Sequence, residues 1–392
     1  MGNETLRRSR QVMHLSGKLL LLTLVAAGSA QVHGAPVVQQ VNGTLTHAGT
    51  ITISGMGFGS KATAAPLVWD DATGVDITEK WDGAWPSTIP PYNATYRAPM
   101  RGIDLPNSHD ARYIAGDHYA ATLATAVAGG FSGGGNVVMF KNIKLQPFPF
   151  NIYASWYQRL DDDWTFGTTN NIKTFAYSVC CSPYEMPNNW YTAYGPPHPA
   201  STSDRPQWLY TDDGKSLMNP DMNGHNAWWG AAVNPTAGKW SKVEVAIKVT
   251  NQTDGSIQVR ENGKLVLNYA GPTDKYPGTE RTIGIGGWSL TKAPNNWRYY
   301  SDIYLDTTLS RVVLANNAVL SQATVIENQI PSSWTDSAVT ATVNLGQFQA
   351  GQTAYLFVVD SSGNPTTSGM PVTVGGSESP NAPNAPSGVS VH

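Results

Sequence analysis

The sequence predicts an all-β protein of two sandwiches, a larger one in the middle of the chain and a smaller one drawn from its two ends. Three observations lead there. Apolar and polar residues alternate with a period of two along many short stretches, while helical periodicity is scarce. Gly (38) and Pro (26) are frequent and punctuate those stretches. The indole and phenol rings are concentrated between Ala72 and Leu309, which holds 11 of the 13 Trp and 16 of the 17 Tyr. That concentration marks off a central domain, expected over residues 72–309, from plainer flanks over 36–71 and 310–375.

Ahead of the first flank, residues 1–35 read as an export signal. Arg7, Arg8, Arg10 and Lys18 form a positive region, Leu19–Ala27 an apolar run, and His33-Gly34-Ala35 offers small residues for cleavage before Pro36. The run is too short to cross a bilayer. The mature chain is therefore expected outside the cell or at its surface, with no membrane partner; the competing reading is an N-terminal anchor. Cleavage would remove four positive charges and one negative charge, taking the formal net charge from −3 to −6. A mildly acidic chain without a basic stripe argues against nucleic acid as a partner.

The flanks supply strands in two halves. Val37-Val38 and Thr50–Gly55 precede Gly57-Phe58-Gly59, and Val339–Val343, Ala354–Val359 and Val372–Val374 come far later. Neither half closes a sandwich alone, but together they approach the about seven strands of an immunoglobulin-like one. In the middle, Val243, Val245, Ile247 and Val249 alternate with Lys242, Glu244 and Lys248, which predicts a strand with one face on a core and one in water. Ile257–Leu267 reads as a hairpin turning at Asn262-Gly263. Asn136–Leu145, Asn151–Leu160 and Tyr299–Asp306 show looser strand patterns. Residues 376–392 are rich in Gly, Ser, Pro and Asn and read as a flexible tail.

The only cysteines are Cys180 and Cys181. A vicinal disulfide stiffening a loop and a pair of buried thiols both remain open; a bridge between neighbours would be strained. No CxxC or His-spaced partner suggests zinc.

The abundant rings suit a surface that grips sugars, because a pyranose face is apolar and its rim is wet. The segment Asn188-Asn189-Trp190-Tyr191 pairs hydrogen-bonding amides with flat rings. Alternation puts Tyr153, Ser155, Tyr157 and Arg159 on one strand face. Lys173, His225 with Trp228, and Arg298 with Tyr299 add further polar and aromatic groups. Against each stands a plainer alternative: a wet sheet face, a solvated turn around His225, and a core position for one of Trp228 and Trp229. His109, Asp110, Asp117 and His118 form an imaginable ligand cluster. Asp161-Asp162-Asp163 reads as a solvated turn or as an oxygen-rich loop for calcium. No metal ligand is assigned.

Two resemblances rest on particular residues. Pro36-Val37-Val38 with Gly49–Gly59, ending in Gly55-Met56-Gly57-Phe58-Gly59, resembles the opening of an IPT/TIG immunoglobulin-like domain, and Ala354–Val359, Gly363 and Val372–Val374 resemble its close. That resemblance implies one small sandwich with the aromatic middle inserted into it. Gly238–Glu244, Asp254–Ile257 and Glu261–Lys264 resemble a hairpin of the concanavalin-A-like jelly roll found in lectins, laminin-G modules and polysaccharide lyases. That resemblance implies a carbohydrate groove on a sheet face, and two activities follow from it.

The first is binding of a polysaccharide, with Tyr153, Lys173, Asn188, Asn189, Trp190, Tyr191, Trp228 and Tyr299 as contacts. The second is β-elimination of a uronate-containing polysaccharide. There His225 or Tyr157 would serve as base or acid, and Arg159 or Arg298 would neutralise the substrate carboxylate. The Gln-Ile-His and Tyr-x-Lys-x-Gly-x-Tyr signatures of alginate lyases are absent. So is the Glu-x-Asp-x-x-Glu strand motif of laminarinase-like hydrolases, which disfavours a paired-carboxylate glycosidase. A structural adhesion module at a cell or virion surface is the remaining alternative.

Overall fold

The computed structural model describes residues 34–71, 80–85, 119–123, 134–144, 146–160, 171–179, 188–194, 207–211, 219–220, 226–232, 240–274, 280–290 and 296–375. In chain order their strands are β1 (Val37–Gly43), β2 (Thr50–Met56), β3 (Val68–Asp70), β4 (Gly83–Trp85), β5 (Tyr119–Leu123), β6 (Gly134–Ile143), β7 (Phe150–Leu160), β8 (Asn171–Val179), β9 (Asn188–Tyr194), β10 (Gln207–Thr211), β11 (Asn219–Pro220), β12 (Asn226–Ala232), β13 (Trp240–Val249), β14 (Ser256–Glu261), β15 (Lys264–Ala270), β16 (Arg281–Leu290), β17 (Asn296–Asp306), β18 (Arg311–Ala315), β19 (Ile326–Trp334), β20 (Ala338–Thr342), β21 (Thr353–Val359) and β22 (Met370–Thr373). The protein is all-β, a jelly-roll sandwich joined to a smaller immunoglobulin-like one.

The smaller sandwich follows the strand order β1-β2-β20-β19-β18-β21-β22. Its two halves come from opposite ends of the described chain, because β2 pairs antiparallel with β20 from Thr50↔Thr342 to Ser54↔Ala338. Strand β19 serves both layers. Its start pairs with β18 and its end with β20, with a register shift between Pro331 and Ser333. Ile51 and Ile53 pack with Val339, Ala341, Leu356 and Val358 in one buried cluster. The Gly57-Phe58-Gly59 turn is fastened from the other half: Trp334 Nε1 donates to the Gly59 carbonyl (3.2 Å), and the Gly59 amide donates to Asp336 Oδ1 (2.9 Å).

The larger sandwich has two sheets. One follows β11-β12-β10-β9-β8-β16-β6-β4, the other β15-β14-β13-β7-β17-β3 with β5 also on β17. Ile152, Ala154 and Trp156 of β7 and Val243, Val245, Ile247 and Val249 of β13 face Met139, Phe175, Ile283 and Ile285 of the opposite sheet. Trp156 stacks on Phe175 across the middle, with ring centroids 6.0 Å apart. The β14–β15 hairpin turns at Asn262 (φ 48°) and Gly263 (φ 74°), the positive angles a tight turn needs. A Cβ on Gly263 would come within 2.1 Å of the Ala323 carbonyl, so glycine also lets the turn lie against the smaller sandwich.

One expectation is corrected. The polar face of β13 does not meet water at Lys242 and Glu244, which are only 5% and 6% exposed. The smaller sandwich covers it.

Candidate functional site

The outer face of β7 and β13 meets β19 in a buried polar interface. Glu327, fully buried on β19, holds it together. Its Oε1 accepts from the Tyr157 hydroxyl (2.5 Å) and from the Gln347 amide (2.9 Å), and its Oε2 accepts from Lys242 Nζ (3.0 Å). Lys242 also donates to the Ile326 carbonyl, and Gln347 Nε2 donates to the Tyr157 hydroxyl at 2.9 Å. Gly346 adopts φ +52°, and a Cβ there would lie 1.8 Å from the Glu327 carboxyl carbon. The loop approaches Glu327 this closely only because the position is glycine.

Beside that cluster, the Tyr153 hydroxyl donates to Glu244 Oε1 (2.7 Å) and Asn328 Nδ2 donates to Ser155 Oγ (2.6 Å). The Arg311 guanidinium lies 4.2 Å from the Tyr153 ring centroid, a cation–π arrangement. Lys61 pairs with Asp306 at 2.7 Å where both are nearly closed to solvent. Burial is the main cause of the titration shifts here. It raises Tyr153, with Glu244's charge adding to the effect, and raises Tyr304, with Asp306 adding. It also lifts Asp306 and lowers Lys61, each against the pull of the other.

These contacts describe the surroundings of three site candidates. Tyr153, Tyr157 and Arg159 do share one face of β7, but they are 1%, 1% and 2% exposed. The Tyr157 hydroxyl is committed to Glu327 and Gln347. Tyr299 is registered opposite Arg159, and Arg298 opposite Leu160, so both also belong to the sheet beneath the smaller sandwich.

The remaining candidates fall on the eight-stranded sheet, where strand register sorts them into two sets. Trp228, Tyr210, Tyr191, Phe175, Ile285 and Met139 form one transverse row. Phe175, Ile285 and Met139 are core residues; Tyr191 and Trp228 share their register row, and Asn189 stands opposite Tyr177. The next row runs Ala227, Thr211, Trp190, Ala176, Gly284, Phe140, Gly83. It belongs to the outer face by alternation. Asn188 stands opposite Ser178 in the same register, whereas Lys173 pairs with Thr192 beyond a register shift that falls between Lys173 and Phe175. The row is low in the middle, at Ala176 and Gly284, with larger residue types at Trp190 and Phe140. The side chains of Lys173, Asn188, Asn189, Trp190, Tyr191, Trp228, Arg298 and Tyr299 lie outside the described part of the structure.

His225 lies outside the described residues, although Asn226 next to it opens β12. So do Cys180, Cys181, His109, Asp110, Asp117, His118 and Asp161–Asp163. Among the described residues no group of three His, Cys, Asp or Glu side chains is placed to hold a metal ion.

Sequence reasoning missed a second buried cluster at the end of the jelly-roll core. Tyr177 donates to Asp274 Oδ2, and Arg281 Nε donates to the same oxygen (2.8 Å) and to the Tyr177 hydroxyl (2.9 Å). Burial, then Asp274's charge, pushes the Tyr177 phenol well above its ordinary range. Tyr177 and Asp274 are 97 residues apart, and no local spacing signals such a cluster.

No family model matches this chain, and no curated protein matches it. Among solved structures it is similar to alginate lyase Aly36B at 13% identity and TM-score 0.40, covering 70% of this chain and 98% of that one. It is similar to the endo-beta-1,4-glucuronan lyase of the fungus Trichoderma reesei at 16% and 0.36, covering 49% and 82%. The galactose-complexed lectin UEA-II follows at 10% and 0.31, covering 48% and 89%. These similarities assign neither an activity nor a ligand to this chain.

Proposed function

We propose that this is an exported polysaccharide-binding protein that holds its glycan along the outer face of the eight-stranded sheet. The observation that carries the reading is the register row Trp190–Ala176–Gly284–Phe140. Aromatic residue types flank a low centre on the outer face of this sheet, where Ala176 and Gly284 are buried. An aromatic position beside a shallow strip of backbone suits a sugar ring that stacks by its apolar face and hydrogen-bonds at its rim. Asn188, two residues before Trp190 on β9, adds an amide-bearing residue type to that face.

Binding is favoured over β-elimination by where three of the four elimination candidates sit, the fourth, His225, lying outside the described residues. Tyr157, Arg159 and Arg298 belong to the other sheet, and the first two are sealed beneath the smaller sandwich. Affinity chromatography on immobilised acidic and neutral polysaccharides, followed by ultraviolet absorbance of the eluate, tests the proposal. The expected result is retention on at least one polysaccharide with no new absorbance. An unsaturated uronate product would replace binding by lyase activity, and passage through every column would refute the reading altogether.

A further inference from the structure

A cleft of about 340 Å³ opens between the two sandwiches, away from the eight-stranded sheet. Its jelly-roll wall is the outer face of β13 and β14, with Glu244, Lys248, Gln258 and Arg260. Arg311 and the loop containing Ser362 line it from the smaller sandwich. The volume is at the small end of the ~300–1,000 Å³ typical of ligand pockets.

The polar groups around this cleft satisfy one another only in part. Glu244 and Arg260 face each other directly across β13 and β14, yet Glu244 turns its Oε1 to Tyr153 instead. Glu244 is 6% exposed, and its Oε2 has no hydrogen-bond partner. Arg311 Nε is likewise buried without one. Arg260 donates to Gln258 Oε1 at 3.2 Å, and Arg311 donates to the Leu309 carbonyl at 2.8 Å while its guanidinium lies over the Tyr153 ring. Lys248, by contrast, is already paired with Asp254 at 2.7 Å. A buried carboxylate oxygen without a donor is costly, and a guanidinium presents a fork that matches a carboxylate.

We propose that this cleft binds a small hydroxylated carboxylate of about the size of one hexuronate ring. Its carboxylate lies between Arg260 and Arg311, and a hydroxyl donates to the vacant oxygen of Glu244. The site is separate from the sheet face assigned to polysaccharide, and its volume suits a single small molecule.

Calorimetric titration of the full-length protein with glucuronate, glucose and propionate separates the alternatives. Glucuronate should bind at least tenfold more tightly than either, since only it carries both the carboxylate and the hydroxyls. Arg260→Gln should weaken glucuronate at least tenfold while leaving retention on polysaccharide unchanged, and Trp190→Ala should do the reverse. Propionate binding as tightly as glucuronate would overturn the hydroxyl contact. Absence of glucuronate binding, or binding indifferent to both Arg260→Gln and Arg311→Gln, would overturn the site.

Discussion

The two sheets of the jelly roll turn outward in different ways. The outer face of the seven-stranded sheet is polar, carrying Tyr153, Ser155, Tyr157, Arg159, Lys242 and Glu244, yet all six are buried. The outer face of the eight-stranded sheet has the plainer row Trp190–Ala176–Gly284–Phe140. The difference teaches that polarity on a strand face does not by itself mark a ligand surface. A face that meets a second domain through hydrogen bonds uses the same residue types as one that meets water. Here most of the polar face is joinery to the smaller sandwich, and the centre of the plainer row, Ala176 and Gly284, is buried as well.

The sharpest way to break this comparison is to remove the carboxylate that ties the buried face together. Glu327→Ala leaves the Lys242 ammonium buried without its counter-ion and should cost about 3–5 kcal/mol, read as a lowered urea midpoint. An unchanged midpoint would mean that the interface contributes little. Gly346→Ala forces a Cβ onto the buried Glu327 carboxylate at a positive φ and should cost about 1–3 kcal/mol. Equal stability there would show that the loop can withdraw.

A pH titration addresses the buried phenols. Tyr153, Tyr177 and Tyr304 have folded-state values raised above the ordinary phenol. Their contribution is therefore fully present below about pH 10, the unfolded tyrosine value. It is lost as pH rises from there through the folded values. Lys61, lowered in the fold, acts in the opposite sense below its ordinary value, but it is one group against three. Melting temperature should fall once the pH passes about 10, accompanied by delayed phenolate absorbance; an early, uncoupled phenolate signal would contradict sealed tyrosines.

Much of the scaffold was legible in the sequence. The alternation of Val243, Val245, Ile247 and Val249 gave both the strand and its core side, and Asn262-Gly263 gave the hairpin turn. Alternation also placed Tyr153, Tyr157 and Arg159 on one face. It gave no hint of what covers that face, because Glu327 lies 170 residues beyond Tyr157 and pairing over such a distance leaves no local pattern. In the aromatic segment, adjacent Trp190 and Tyr191 looked equivalent, and only the pairing with Ala176 and Phe175 separates them. Cross-strand register, which depends on every strand between, was the missing information.

The most direct test measures stability and polysaccharide affinity on the same two variants, Trp190→Ala and Tyr157→Phe. The account predicts that Trp190→Ala weakens affinity about tenfold or more, a loss of about 1.4 kcal/mol. Tyr157→Phe, which deletes a hydrogen bond to a buried carboxylate, should cost about 1.5–3 kcal/mol of stability and leave affinity unchanged while the protein stays folded. The reverse pattern, with affinity lost in folded Tyr157→Phe and kept in Trp190→Ala, would contradict the assignment of the two faces.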